Sequence, residues 1–127
     1  MNHITEIIIL VFLAITFLQS GVDKISDWKG NVEWLKSHFS NTILANRVPF
    51  SLKVILILEM IAGILAIIGI LSILINQNTE IALISGVISC ITLLFLLLGQ
   101  RIAKDYDGAR TIVIYLIPTL FLVFLLQ

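Results

Sequence analysis

Apolar residues in this chain gather into four long runs separated by polar segments of very unequal length. The runs are roughly Ile4 to Gly21, Phe50 to Ile75, Glu80 to Leu98 and Ala109 to Leu126. Each approaches or exceeds the ~20 residues that a helix rising ~1.5 Å per residue needs to cross a ~30 Å bilayer core. Only the polar turn Asn76-Gln77-Asn78-Thr79 divides the second run from the third, whereas the 28 residues from Val22 to Pro49 join the first to the second.

That longer segment has a periodicity of its own. Trp28, Val32, Leu35 and Phe39 recur at helical spacing, with Lys29, Glu33 and Lys36 on other faces and Asp27 placed to cap the first turn. The pattern predicts an amphipathic helix over about 27–40, lying in the headgroup layer with Trp28 and Trp34 near the interface. A membrane-resting connector is the plain reading of this helix, and a docking surface for a soluble partner is the alternative. The expected fold is an all-α membrane protein. Residues 1–127 form one domain, a four transmembrane helix bundle with an interfacial helix between the first two spans.

Composition strengthens the membrane reading and removes several functions. The chain is 59% hydrophobic and 13% charged, with a mean hydropathy of +1.10, against about 45–50% apolar residues in a soluble domain. Net charge is zero and the bases stand singly, so nothing follows a nucleic-acid backbone. The single cysteine, Cys90, rules out an internal disulfide or a two-cysteine shuttle. His3 and His38 both lie outside the apolar runs, which leaves no pair of axial ligands for a membrane haem. With no phosphate-binding loop, nucleophile elbow or metal-ligand spacing, the sequence predicts no catalytic residue, metal site or bound cofactor. The first run lacks a basic leader and a small-residue cleavage site, and it reads as a retained span.

Charge orients the spans. Lys24, Lys29, Lys36, Arg47, Lys53, Arg101, Lys104 and Arg110 all fall on the side of the two longer connections. The positive-inside rule therefore places both long loops in the cytoplasm and both termini outside.

One residue breaks the apolar pattern of the second span. Glu59 sits in "ILILEMIAGILAIIG", about 13 Å along the helix from Phe50. An acid facing lipid at that depth costs on the order of 2.5–3.5 kcal/mol, so Glu59 is expected to face protein. Ala62, Gly63 and Ala66 share its helical face, and small residues mark where helices approach closely. The third span carries a comparable set in Ser85, Gly86, Ser89 and Cys90, and the first aligns Phe12, Thr16, Gln19 and Asp23. The expected partner of Glu59 is Arg101 first and Lys24 second, with Gln19, Gln100 and Tyr115 completing the hydrogen bonding. Two readings of this cluster stand level: an ion pair that fixes helix register, and the floor of a pocket for a quinone headgroup or another polar group on a lipid-soluble molecule.

At "GVDKISD", "LEMIAGILAIIG" and "GQRIAKDYDGA" the chain resembles the DoxX-like family of small bacterial four-span membrane proteins. Residues matching the family pattern are Gly21, Lys24, Glu59, Gly63, Gly69, Gly99, Arg101, Asp105 and Gly108. The resemblance implies a multi-pass protein of the bacterial inner membrane. The family's name derives from components linked to thiosulfate:quinone oxidoreductase, and other members are associated with redox-defence complexes. No catalytic set carries over. A non-enzymatic accessory or anchoring subunit ranks first, working with other membrane or cytoplasmic subunits or as a homo-oligomer in the lipid bilayer. A quinone-linked subunit of an oxidoreductase system ranks second. A small proton-coupled transporter ranks third, because the one-sided charge distribution forbids the dual-topology dimer used by several small multidrug transporters.

Overall fold

The computed structural model describes residues 3–127. The described chain forms five helices, α1 (Ile4–Ser26), α2 (Trp28–His38), α3 (Val48–Asn76), α4 (Glu80–Ile102) and α5 (Tyr106–Leu126), and no strands. Of these, α1, α3, α4 and α5 are long and apolar enough to cross a membrane, yet no more than 39% of the residues in the apolar window of any one is buried. Ile8, Ile15, Ile64, Leu71, Ile84 and Ile117 are among the large side chains left on the outside. Soluble monomers rarely expose a contiguous apolar patch larger than a few hundred Å². An apolar coat on four helices is matched by lipid, and the chain is a multi-pass membrane protein.

The helices run further than the apolar runs that announce them. The first continues past Gly21 to Ser26, α4 passes Leu98 to Ile102, and α5 begins at Tyr106. A helix satisfies its own backbone and needs no apolar side chains to continue, so its ends are set by caps. Asp105 caps α5, its Oδ1 accepting from the Gly108 N–H at 3.0 Å, and Asp27 caps α2 through the Gly30 N–H at 3.2 Å. Between α3 and α4, Gln77 turns the chain in the left-handed region (φ 54°), and Asn78 Oδ1 accepts from the Glu80 N–H at 2.9 Å. Beyond that turn α4 runs back along α3. The fourth span, α5, continues as helix through Pro118.

Helix α3 is the centre of the packing, with α1 and α4 against it and α5 against α4; α1 and α5 meet over a smaller seam. Glycines set the close approaches. A Cβ at Gly63 would fall 2.7 Å from Leu18 of α1, and one at Gly21 would collide with Met60 of α3. At Gly69 the backbone of Ala82 in α4 lies within about 3 Å of where a Cβ would stand. Tight backbone contact between α3 and α4 also lets the Ser85 hydroxyl donate to the Ala62 carbonyl at 2.9 Å. Leu10, Leu13, Phe17, Ala62, Ala66, Leu93 and Leu122 fill the interior.

Helix α2 crosses one end of this arrangement. Val32 is buried, Trp28, Leu35 and Phe39 are half-buried, and Lys29, Glu33 and Lys36 are exposed. His38 fastens the helix to the α4–α5 corner: its Nε2 lies 3.2 Å from Gln100 Oε1 and 3.6 Å from Asp105 Oδ2. The Trp34 ring stacks on the His38 ring, with centroids 4.8 Å apart.

The glycine contacts yield a paired prediction. At Gly69 a methyl group meets backbone that cannot rotate away, so Gly69→Ala should lower stability by about 1–3 kcal/mol despite its better helix propensity. At Gly99 the nearest neighbour of a Cβ is Phe39 at an ordinary 3.7 Å. Gly99→Ala should be neutral or stabilising by up to about 1 kcal/mol. Thermal unfolding of both variants in the same detergent checks the contrast.

Candidate functional site

Glu59 stands well inside α3, eleven residues after Val48 and seventeen before Asn76, where it is 2% exposed. The same α3 face carries Ala62, Gly63 and Ala66, all buried. Small side chains there bring α1 and α4 close, and the carboxylate is held among helices instead of lipid. This follows the orientation expected from its spacing.

The cation that meets it is Lys24. Its Nζ lies 2.8 Å from Glu59 Oε1 and donates to the Ser20 hydroxyl one turn back at 2.6 Å. Arg101, the partner expected first, is exposed and sits over the Tyr106 ring, 5.3 Å from its centroid. The physical reason is azimuth. Lys24 lies seven residues beyond Phe17 and fourteen beyond Leu10, on the buried stripe of α1. On α4 it is Gln100, seven beyond Leu93, that continues the buried stripe; Arg101 is turned roughly 100° away.

The ion pair does not fill its surroundings. A cavity of about 480 Å³ opens beside it at the α1–α5 seam, lined by Thr16, Gln19, Ser20, Asp23 and Lys24 of α1, Glu59 of α3, and Ile112 and Tyr115 of α5. Leu93 and Leu96 of α4 and Asn31 of α2 complete its wall. Tyr115 is steadied by Phe12, with ring centroids 5.9 Å apart. The Lys24 ammonium meets Glu59 Oε1 as a charge pair, and no second donor from the protein reaches that oxygen.

Of the residues expected to cluster, Gln19, Lys24, Glu59 and Tyr115 share this cavity. Gln100 bonds His38 instead, and Arg101 lies apart. Three features escaped the sequence reading. Ser20 anchors the Lys24 ammonium, and its place one turn before Lys24 was a readable signal. His38 ties α2 to Gln100 and Asp105, contacts 62 and 67 positions away in the chain that no local pattern encodes. At the opposite end of α1, half-buried His3 approaches buried Glu6 at 2.6 Å. Among the described residues no group of three or more His, Cys, Asp or Glu side chains is disposed to hold a metal ion.

The ion pair and Arg101 are separable by substitution. Lys24→Met strands the Glu59 charge and should cost about 3 kcal/mol, the lower part of the range for a broken buried pair because the cavity admits solvent. Adding Glu59→Gln to Lys24→Met should recover most of that loss, and Arg101→Ala should change stability by no more than about 1 kcal/mol. Unfolding free energies of the four proteins in one detergent decide it. Comparison with models of protein families, with curated proteins and with solved structures finds no match to this chain.

Proposed function

We propose that this protein is a non-enzymatic membrane subunit that holds the polar head of a lipid-soluble molecule in the cavity beside Glu59. The observation that carries the reading is the Glu59 carboxylate, 2% exposed and paired with Lys24, in the wall of a cavity of about 480 Å³. An ion pair that served only to fix register would be closed over by apolar side chains. Here hydroxyl, amide and ammonium groups surround open space of a size typical for small-molecule sites, about 300–1,000 Å³. Intramembrane ionisable groups mark functional sites by default.

Orientation and setting extend the same reading. The basic residues gathered at the α2 end support a cytoplasmic position for that end and its cavity. There α2 lies along the headgroup layer with Lys29 and Lys36 toward water. The resemblance to the DoxX-like family supports an accessory or anchoring role beside other subunits in a bacterial inner membrane. A quinone-linked subunit is the second reading, and it rests on that resemblance alone. The lone cysteine and the lack of a metal-ligand or cofactor motif leave electron transfer to a partner.

Glu59→Gln separates a binding site from a structural pin. Wild-type protein and the variant, purified gently in the same detergent, are compared by yield, monodispersity and mass spectrometry of retained small molecules. Normal assembly with loss of a lipid-soluble molecule carried by the wild type is the expected result. Collapse of folded protein together with any loss of binding would show the pair to be structural.

A further inference from the structure

A second cavity of about 460 Å³ lies under α2. Its walls are largely apolar: Leu35 and Phe39 come from the α2 side, Val48 and Ile55 from α3, and Phe95 and Leu98 from α4. The two cavities share Lys24, Asn31 and Leu96 among their lining residues, so these three side chains form a thin partition between a polar chamber and an oily one. One side of the partition offers Glu59; the other offers a slot wide enough for hydrocarbon.

We infer that the two chambers form one site for a single-chain amphiphile with an amino head, the head beside Glu59 and the tail in the crevice under α2. This rests on the reading of the Glu59 cavity as a ligand pocket and adds the ligand's class and its second half. Charge selects the head. Glu59 and Asp23 line the polar chamber against one base, Lys24, whose ammonium is already engaged by Ser20 and Glu59. With Glu59 paired to Lys24, the acid in excess is Asp23, an exposed residue of the same wall, so the chamber as a whole suits a cationic, donor-rich head over a carboxylate or phosphate. Lipid selects how the site must work. A tail that leaves the bilayer for an apolar crevice exchanges one apolar setting for another and gains little. Preference for the site must come from the head, with the tail fixing which molecules fit.

The test uses the full chain in phosphatidylcholine nanodiscs and three photoreactive probes. Two carry the same sixteen-carbon chain with a diazirine near its end, one headed by a primary amine and the other by a carboxylate. The third is a short-chain amine with the diazirine beside its head. After irradiation the labelled residues are located by mass spectrometry. The amine-headed long chain should label crevice residues such as Val48, Leu52 and Ile55 at least tenfold more than the carboxylate does. Glu59→Gln should erase that difference while the elution volume stays that of the wild type, and so should the Lys24→Met/Glu59→Gln double variant, in which no charge is left stranded; Leu35→Trp, which fills the slot from α2, should reduce tail labelling while leaving the short amine's labelling of the polar chamber intact. Labelling confined to outward residues such as Ile64 and Ile117, or equal crevice labelling by both heads, would overturn the inference. If the short amine still labels the polar chamber in a Glu59-dependent manner, the pocket reading survives that failure. If no probe labels either chamber in a Glu59-dependent manner, both are wrong.

Discussion

A carboxylate withdrawn from water into a membrane must be met by a positive charge, and here a single lysine meets it. That requirement reaches back through the structure. Lys24 arrives at Glu59 because α1 does not stop where its apolar run stops but continues to Ser26. It arrives at the right height because Gly21 faces Met60 and Gly63 faces Leu18, fixing the antiparallel register of α1 on α3. The ion pair contributes little net stability by itself, since desolvation offsets most of its attraction. Its influence lies in what it excludes: sliding α1 by one turn would leave both charges unpartnered among apolar side chains.

Close approach on two sides of α3 leaves open space on the third. Helix α1 is drawn to α3 by the Gly21 and Gly63 contacts, and α4 by the Gly69 contact, while α5 packs chiefly on α4. The seam between α1 and α5 is consequently looser than the α1–α3, α3–α4 and α4–α5 seams, and the polar cavity lies there. The same small residues that bring three helices together thus account for the space beside the fourth.

The four spans and the inward turn of Glu59 were legible in the sequence because length, hydropathy and a stripe of small residues each carry a physical signature. Thr16, Gln19 and Asp23, aligned by spacing alone, do line one cavity. What was not legible follows from the solvent. In a soluble helix the apolar stripe points to the core, but in lipid apolar residues face both inward and outward, so hydrophobic period loses its compass. Arg101 and Lys24 therefore look equivalent when only depth along the helix axis is considered. The small and polar residues of α4 alone retain direction, and counting eleven from Ser89 or fourteen from Gly86 leads to Gln100, not to Arg101. Pairings such as His38 with Gln100 depend on how far α2 swings across the end of the molecule, which no local spacing specifies.

Asp105 divides its two oxygens between unrelated tasks. Oδ1 holds the first turn of α5 through the Gly108 N–H, while Oδ2 lies toward His38 at the far end of α2. Because the duties fall on different atoms, the contact with the imidazole can break while the helix start stays wound. A change at His38 would therefore release this tether of α2 and leave the start of α5 in place.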